Sequence, residues 1–334
     1  MKPHILLIFA GGTIGMVPNK DTGALQPAES ALELMKQIPE LEEIATLDIE
    51  VVANIDSSNM TPEHWVKISH TINDNYSKYD GFVVAQGSDT MAYTASALSF
   101  ALQGLGKPVI FTGSLIPLQK AGSDARNNLV YACMTAALDL AEVCIVLSHT
   151  ILRGNRAKKH HESFVAAFHS PNFPNLGELG RPITLHSWRN KRNNSSPLTL
   201  HADFDENIAV IRLFPGFPPK IIDSIVAQGT HALIIEGFGP GNVPFLNTSI
   251  IPSIQKAISH GIPVIISNQM EEGTTNLHAY EAGLEAQKAG AISSGDMTIE
   301  ATITKTMWAL ANSDKSIKSI KAILEKDISG ELSE

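Results

Sequence analysis

The sequence predicts an α/β protein with mostly parallel sheets, divided into two domains. Three observations carry this. Short Val- and Ile-rich runs, each too brief for a helix, alternate with amphipathic stretches. The chain has 334 residues, too many for one ordinary domain and suited to two at ~100–200 residues each. A polar, turn-rich stretch near 188–200 separates the runs before it from those after it.

The first run, 4–9, leads straight into Gly11-Gly12-Thr13. Its apolar core is only a handful of residues, so it reads as a buried first strand rather than a signal peptide. Further strands are expected at 81–85, 108–112, 143–148, 208–213, 232–236 and 263–267. These runs do not alternate with polar residues, which suits strands covered on both faces. Helices are expected at 31–37 behind Ser30 as N-cap, and from Thr61-Pro62-Glu63-His64, where a capping residue, a first-position proline and an acid coincide. Others are expected at 90–102, 127–141, 219–228 and 251–260. Asn190-Lys191-Arg192-Asn193-Asn194-Ser195-Ser196-Pro197 marks the connection, giving an N-terminal domain over 1–190, a linker over 191–206 and a C-terminal domain over 207–334. Both domains are large enough to hold a core.

Composition excludes several classes. The net charge of −9, from 25 basic against 34 acidic residues, is not the footprint of a nucleic-acid binder. No apolar run reaches the ~18 residues that a membrane span needs. Cys133 and Cys144 lie in apolar surroundings and form neither a disulfide framework nor a metal motif. They read as small buried thiols in a reducing, cytoplasmic setting.

Four segments have the residue types that chemistry needs. Ala10-Gly11-Gly12-Thr13-Ile14-Gly15-Met16 ends the first strand; its glycines allow a tight turn and close approach of a ligand, and Thr13 offers a hydroxyl there. A turn threonine capping a helix explains the same residues, and the spacing fits neither a dinucleotide fingerprint nor a P-loop. Gln86-Gly87-Ser88-Asp89-Thr90 repeats the theme after 81–85; Asp89 either caps the following helix or holds an ammonium group. Asp56-Ser57-Ser58-Asn59-Met60-Thr61 puts two serines ahead of a helix, where free N–H groups suit a carboxylate; a plain helix-entry loop is the alternative. Finally, 153–192 gathers eight Lys and Arg against two acids, and six of the twelve histidines lie between His149 and His201. That skew points to an anionic ligand or a subunit contact. His160-His161 is not a metal site, since adjacent side chains point apart.

Taken together, these segments resemble the bacterial-type L-asparaginases, in particular the cytoplasmic type I branch of the asparaginase/glutaminase family. The resemblance covers nearly the whole chain. It rests on Gly11-Gly12-Thr13-Ile14-Gly15-Met16, Asp56-Ser57-Ser58, Gly87-Ser88-Asp89-Thr90-Met91-Ala92-Tyr93-Thr94, Thr112-Gly113-Ser114 with Ser123-Asp124, Arg153-Gly154-Asn155-Arg156, Gly239-Pro240-Gly241-Asn242 and Gly295-Asp296-Met297-Thr298-Ile299-Glu300-Ala301-Thr302. It implies a two-domain asparaginase/glutaminase-like fold, with a larger N-terminal parallel-sheet α/β domain and a smaller C-terminal α/β domain. The implied reaction is hydrolysis of L-asparagine to L-aspartate and ammonia through a threonine acyl-enzyme, with no cofactor and no metal. By position, Thr13 matches the nucleophile, Ser88 the second hydroxyl, Lys159 the lysine that activates it, and Asp89 the carboxylate for the substrate ammonium. Ser57 matches the serine on the α-carboxylate and Ser58 its neighbouring contact. The chemistry agrees: a hydroxyl needs a base in hydrogen-bond reach, and a lysine serves when burial or nearby charge lowers its pKa. Backbone N–H groups near the glycine turns are candidates for holding the oxyanion. The resemblance also implies a homodimer or homotetramer, with no nucleic-acid and no membrane partner.

The chain departs from the family pattern in several places. Ser88 replaces a threonine, Gln86 a histidine, Asn59 an aspartate, Leu115 a glutamine and Ala125 a glycine. The mobile-loop tyrosine of many members is missing, since no tyrosine precedes Tyr76 and Gly23-Ala24-Leu25 occupies its place. Two other readings follow. One is the asparaginase-like subunit of a tRNA-dependent amidotransferase, which carries an extra N-terminal domain; here Thr13 is reached at once, so that domain is not expected. The other is a non-catalytic amino-acid sensor on the same fold.

Overall fold

The computed structural model describes every residue except 1, 20–21, 24, 28–37, 194, 196 and 334. The helix expected at 31–37 lies outside the described residues, as does Ala24. The chain divides into two units, Met1–Ala202 and Asp203–Glu334.

The first unit is built on one eight-stranded sheet. Its strands are β1 (His4–Gly11), β2 (Thr46–Ile55), β3 (Gly81–Ala85), β4 (Val109–Thr112), β5 (Val143–Leu147), β6 (Thr150–Arg153), β7 (Gly177–Glu178) and β8 (Thr184–Leu185). Their order across the sheet is β8-β7-β6-β5-β4-β3-β1-β2. From β2 to β5 all neighbours are parallel, with Ile5 opposite Gly81, Phe82 opposite Val109 and Val109 opposite Val143. From β5 onward the pairing turns antiparallel through a tight hairpin, Leu147 opposite Thr150. In this sheet the strands expected from continuous apolar runs are almost entirely buried because helices cover it: Ile5, Leu7, Phe9, Val83, Ile110 and Cys144 pack against Leu129, Ala132 and Cys133 of the helix Ala125–Ala136. The run at 208–213, expected to be covered on both faces as well, instead forms an edge strand of the second unit with Val210 43% exposed.

The helices flanking these strands are α1 (Glu40–Ile44), α2 (Pro62–Asn75), α3 (Met91–Ala101) and α4 (Ala125–Ala136). Pro62 starts α2, and the Thr61 N–H donates to His64 Nδ1, closing the helix entry. Helix α4 stops five residues before its expected end. Arg192 reaches its last turn and donates to the carbonyls of Ala136 and Leu138, a favourable place for a cation. The start of the expected linker therefore lies on the first unit. Its later residues Thr199–Leu200 pair with Leu102–Gln103 there as well.

The strand β2 is absent from the sequence expectations. It runs along the sheet edge, half of it exposed, and its Thr-Leu-Asp-Ile-Glu-Val sequence alternates instead of forming an apolar run.

The second unit has a four-stranded, fully parallel sheet of β9 (Ile208–Arg212), β10 (Ala232–Gly237), β11 (Val264–Asn268) and β12 (Ile292–Ser293), in that order. Helices α5 (Lys220–Ala227), α6 (Ile251–Ser259) and α7 (Glu281–Lys288) cover one face, where Leu233, Ile235 and Ile266 meet Ile222, Ile254 and Ala286. Helices α8 (Ile299–Ala311) and α9 (Ile317–Leu324) cover the other, where Ile234, Ile265 and Ile292 meet Ala309, Leu310 and Ile320. Both units are thus of the α/β class that the alternating pattern predicts.

Candidate active site

Ligands of open parallel sheets bind beyond the carboxyl ends of the strands. Three adjacent strands, β2, β1 and β3, deliver the candidate residues to that one edge. β1 ends at Gly11 and is followed by a 3₁₀ turn, Thr13–Gly15. β2 ends at Ile55 and is followed by the turn Ser57–Asn59. β3 ends at Ala85 and is followed by the turn Ser88–Thr90.

The glycines bring these three loops into contact. Gly12 has φ of +93°, and its Cα faces the backbone of Gly87 so closely that any side chain would collide. A Cβ on Gly87 would stand 2.6 Å from Ser57 Oγ. The Gly12 N–H donates to the Ile55 carbonyl at 3.0 Å, and the Thr90 hydroxyl donates to the Ser57 carbonyl at 2.9 Å. The loops that carry Thr13, Ser57 and Ser88 therefore meet because small residues let their backbones touch.

Lys159 arrives from elsewhere. It sits on the short strand Lys158–Lys159, paired antiparallel with Phe168–His169. Its Nζ donates to Ser88 Oγ at 2.8 Å and to Asp89 Oδ1 at 2.6 Å. Ser88 is buried, whereas the Asp89 side chain is 63% exposed and the Lys159 side chain 16%. Asp89 does not cap the following helix; its Oδ1 is engaged by Lys159. Thr13 is half-buried, and its hydroxyl has no hydrogen-bond partner among the described residues. Ser57 is buried and Ser58 exposed.

Two expectations about backbone donors change. The Ser58 N–H and hydroxyl both donate to Asp56 Oδ1, at 2.8 and 2.6 Å, and the Asn59 N–H donates to the Asp56 carbonyl. Asp56 is the N-cap of this turn, so it takes the Ser58 N–H, one of the two serine N–H groups expected to face a carboxylate. The Gly12 N–H, engaged by Ile55, is likewise no oxyanion donor.

The basic stretch 153–192 also resolves into parts. Arg153 forms a buried ion pair with Glu142 at 2.6 Å and lies over the Phe173 ring. Arg156 is buried beside the same ring. Arg189 pairs with Asp139, and Arg192 holds the end of α4. These cations serve the fold, and Lys159 is the one placed against Ser88. Among the described residues no group of three or more His, Cys, Asp or Glu is arranged to hold a metal ion. Cys133 and Cys144 are buried, and burial pushes the Cys133 thiol up to about 12 and the Cys144 thiol up as well. No described helix is long and apolar enough to cross a membrane.

The sequence marks Gln86 only as a departure from the family pattern. The structure buries it completely, between the Thr90 and Thr94 hydroxyls. The four-residue spacing from Gln86 to Thr90 and again to Thr94 is the local signal for it.

Known proteins match along the whole chain. The family model described as asparaginase, N-terminal, matches residues 4–191, and that for the glutaminase/asparaginase C-terminal domain matches 207–324. L-asparaginase 1 of Escherichia coli is 36% identical, over 99% of this chain and 98% of its own. A glutamyl-tRNA(Gln) amidotransferase subunit of Pyrococcus horikoshii is 35% identical, over 99% of this chain and 78% of its own. The solved structure of L-asparaginase I from Vibrio cholerae superposes with a TM-score of 0.91 at 36% identity, covering 100% of both chains. With both domain models matched in order and these relatives aligned over at least 99% of this chain, the chain belongs to the asparaginase family.

Proposed function

We propose that the protein hydrolyses L-asparagine to L-aspartate and ammonia through an acyl-enzyme on Thr13. The observation that carries this reading is the bridge of Lys159 Nζ to Ser88 Oγ and Asp89 Oδ1, beside the Gly12–Gly87 contact that brings in Thr13. In the proposed reaction Thr13 Oγ1 attacks the side-chain amide carbon, and the tetrahedral intermediate expels ammonia, which carries off the proton released by the hydroxyl. Water then cleaves the ester and restores Thr13. Ser88 and Lys159 form the path for the proton, a contribution of roughly 10²–10⁴-fold when such a group is well placed. Asp89, exposed and already holding one ammonium, takes the substrate α-ammonium, and Ser57 takes the α-carboxylate. One methylene changes binding by only ~1–3 kcal/mol, so some glutamine hydrolysis accompanies the main activity. The reading includes a cytoplasmic location and a homodimer or homotetramer, which light scattering measures.

The test is ammonia release from a panel of amides. L-Asparagine is the expected best substrate, and Thr13→Ala abolishes its turnover. Protein that releases no ammonia from asparagine, glutamine or related amides sinks the proposal. Intact ligand binding and an unchanged cellular role in Thr13→Ala would favour a sensor instead.

A second reading has one specific observation behind it. Identity to the amidotransferase subunit, at 35%, nearly equals that to L-asparaginase 1, at 36%. If the chain supplies ammonia to a partner, a second subunit and tRNA co-purify with it; a homo-oligomer free of both excludes this.

A further inference from the structure

We propose that Gln86 is a positioning residue for the substrate α-carboxylate, acting through Thr90 on Ser57; this rests on the asparaginase reading above. Gln86 is completely buried directly after β3. Its Nε2 donates to Thr94 Oγ1 at 3.0 Å and to Thr90 Oγ1 at 3.3 Å. Thr90 Oγ1 donates in turn to the Ser57 carbonyl at 2.9 Å, and Thr94 Oγ1 to the Thr90 carbonyl at 3.3 Å. A continuous relay therefore runs from the loop after β3 to the loop after β2.

Proton counting fixes the direction of this relay. Each threonine hydroxyl has one proton, used on the Ser57 carbonyl and on the Thr90 carbonyl respectively. Both hydroxyls can only accept from Gln86, so the amide must present its NH₂ group to them. A hydroxyl hydrogen rotates freely, and a donor on one side of Thr90 Oγ1 turns the proton toward Ser57. Gln86 thereby sets where the Ser57 carbonyl stands, and Ser57 Oγ lies against Gly87 one residue from Ser88. The span between the carboxylate-binding serine and the Ser88–Asp89 turn follows from this geometry.

The same orientation leaves Gln86 Oε1 buried without a partner among the described residues. An orphaned carbonyl is a cost to folding. A methionine of nearly the same volume would avoid it. A residue kept at a cost to stability, one position from the site's glycine, fits a part in the site better than a part in the core.

The test uses the full chain with L-aspartate as the calorimetric probe and L-asparagine as substrate. Gln86→Met is expected to weaken L-aspartate binding about tenfold and raise KM about as much, with kcat within about threefold of wild type and no loss of thermal midpoint. Thr90→Val does the same, while Thr90→Ser keeps the hydroxyl and stays within about twofold of wild type. Combining Gln86→Met with Thr90→Val weakens binding no further than either change alone, because both cut one relay. With 3-aminopropanamide, which lacks the α-carboxylate, kcat/KM responds to neither variant. Unchanged aspartate binding, a fall in kcat alone, additive double variants, or equal losses with 3-aminopropanamide overturn the proposal. Wild-type protein that binds aspartate yet hydrolyses no amide defeats the asparaginase reading alone, and calorimetry still decides the role of Gln86.

Discussion

Two lysine–carboxylate pairs of nearly the same length, one from each unit, sit in very different settings. In the first unit Lys159 meets Asp89 at 2.6 Å, with side chains 16% and 63% exposed. In the second Lys305 meets Glu331 at 2.5 Å, both fully buried. Lys305 also donates to the carbonyls of Leu324 and Lys326 at the end of α9, while Glu331 accepts from the Ile328 and Ser329 N–H groups. Both groups of that pair are also tied to backbone, so it clasps the chain end rather than exchanging partners. Asp89 faces water, and under the proposed function it releases Lys159 to take the substrate ammonium. Separation alone does not tell a working pair from a structural one; solvent access and the number of backbone partners do.

The largest expected effect breaks the first pair. Lys159→Met is expected to lower kcat/KM for L-asparagine about 10³-fold. Its stability changes by under about 1 kcal/mol, because the Asp89 left behind is well hydrated. Equilibrium urea unfolding alongside ammonia release separates the two quantities. A large loss of stability with modest loss of activity would reverse the assignment of this pair.

The matching change in the second unit inverts that pattern. Lys305→Met strands the Glu331 carboxylate in the interior, at a cost of about 3–5 kcal/mol. Adding Glu331→Gln removes the buried charge but keeps an acceptor for the Ile328 and Ser329 N–H groups. The double variant is therefore expected to be more stable than Lys305→Met, as urea midpoints would report. Double-variant losses equal to the sum of the singles would mean that the pair is not coupled.

The same contrast explains what is legible in the sequence. β1 and β3 are visible because their apolar runs are continuous and stop at glycines, which put Thr13 and Ser88 at strand ends. Ser57 is visible as a motif, but its strand β2 is not, since an edge strand alternates like much of the surface. The basic stretch 153–192 is countable, but its partners are not. Glu142 and Asp139 lie outside that stretch, and only the fold turns Arg153, Arg189 and Arg192 into structural cations. Nothing local separates Lys158 from Lys159; the family resemblance singles out the second, and the structure puts that one against Ser88. Gln86 stands out only as an unusual residue, because its meaning lies in the proton count of two threonines.

A third carboxylate sharpens the rule at its smallest effect. Asp205, mostly buried, accepts from Lys315 at 2.7 Å, from His231 at 2.8 Å and from the Asn207 N–H at 3.1 Å. Burial pushes its pKa up, but the hydrogen bonds from Lys315, His231 and Asn207 outweigh this and hold it below the ordinary 3.8. A carboxylate depressed in the fold binds a proton more weakly there than in the unfolded chain. Its stabilisation is therefore complete above about pH 3.8 and disappears as pH falls through the lower, folded value. Asp205→Asn is expected to cost about 1–2 kcal/mol at pH 7, given the Lys315 ammonium and two further hydrogen-bond donors at a partly open site. Below the folded value the variant and the wild type should unfold alike. The difference in unfolding free energy between them, followed by urea titration from pH 7 downward, should thus shrink only in strong acid. If it shrinks already above about pH 5, the titrating group lies elsewhere. Unlike Lys305–Glu331, this carboxylate retains some contact with water, and its smaller, pH-limited effect is what intermediate burial predicts for a pair between the two extremes.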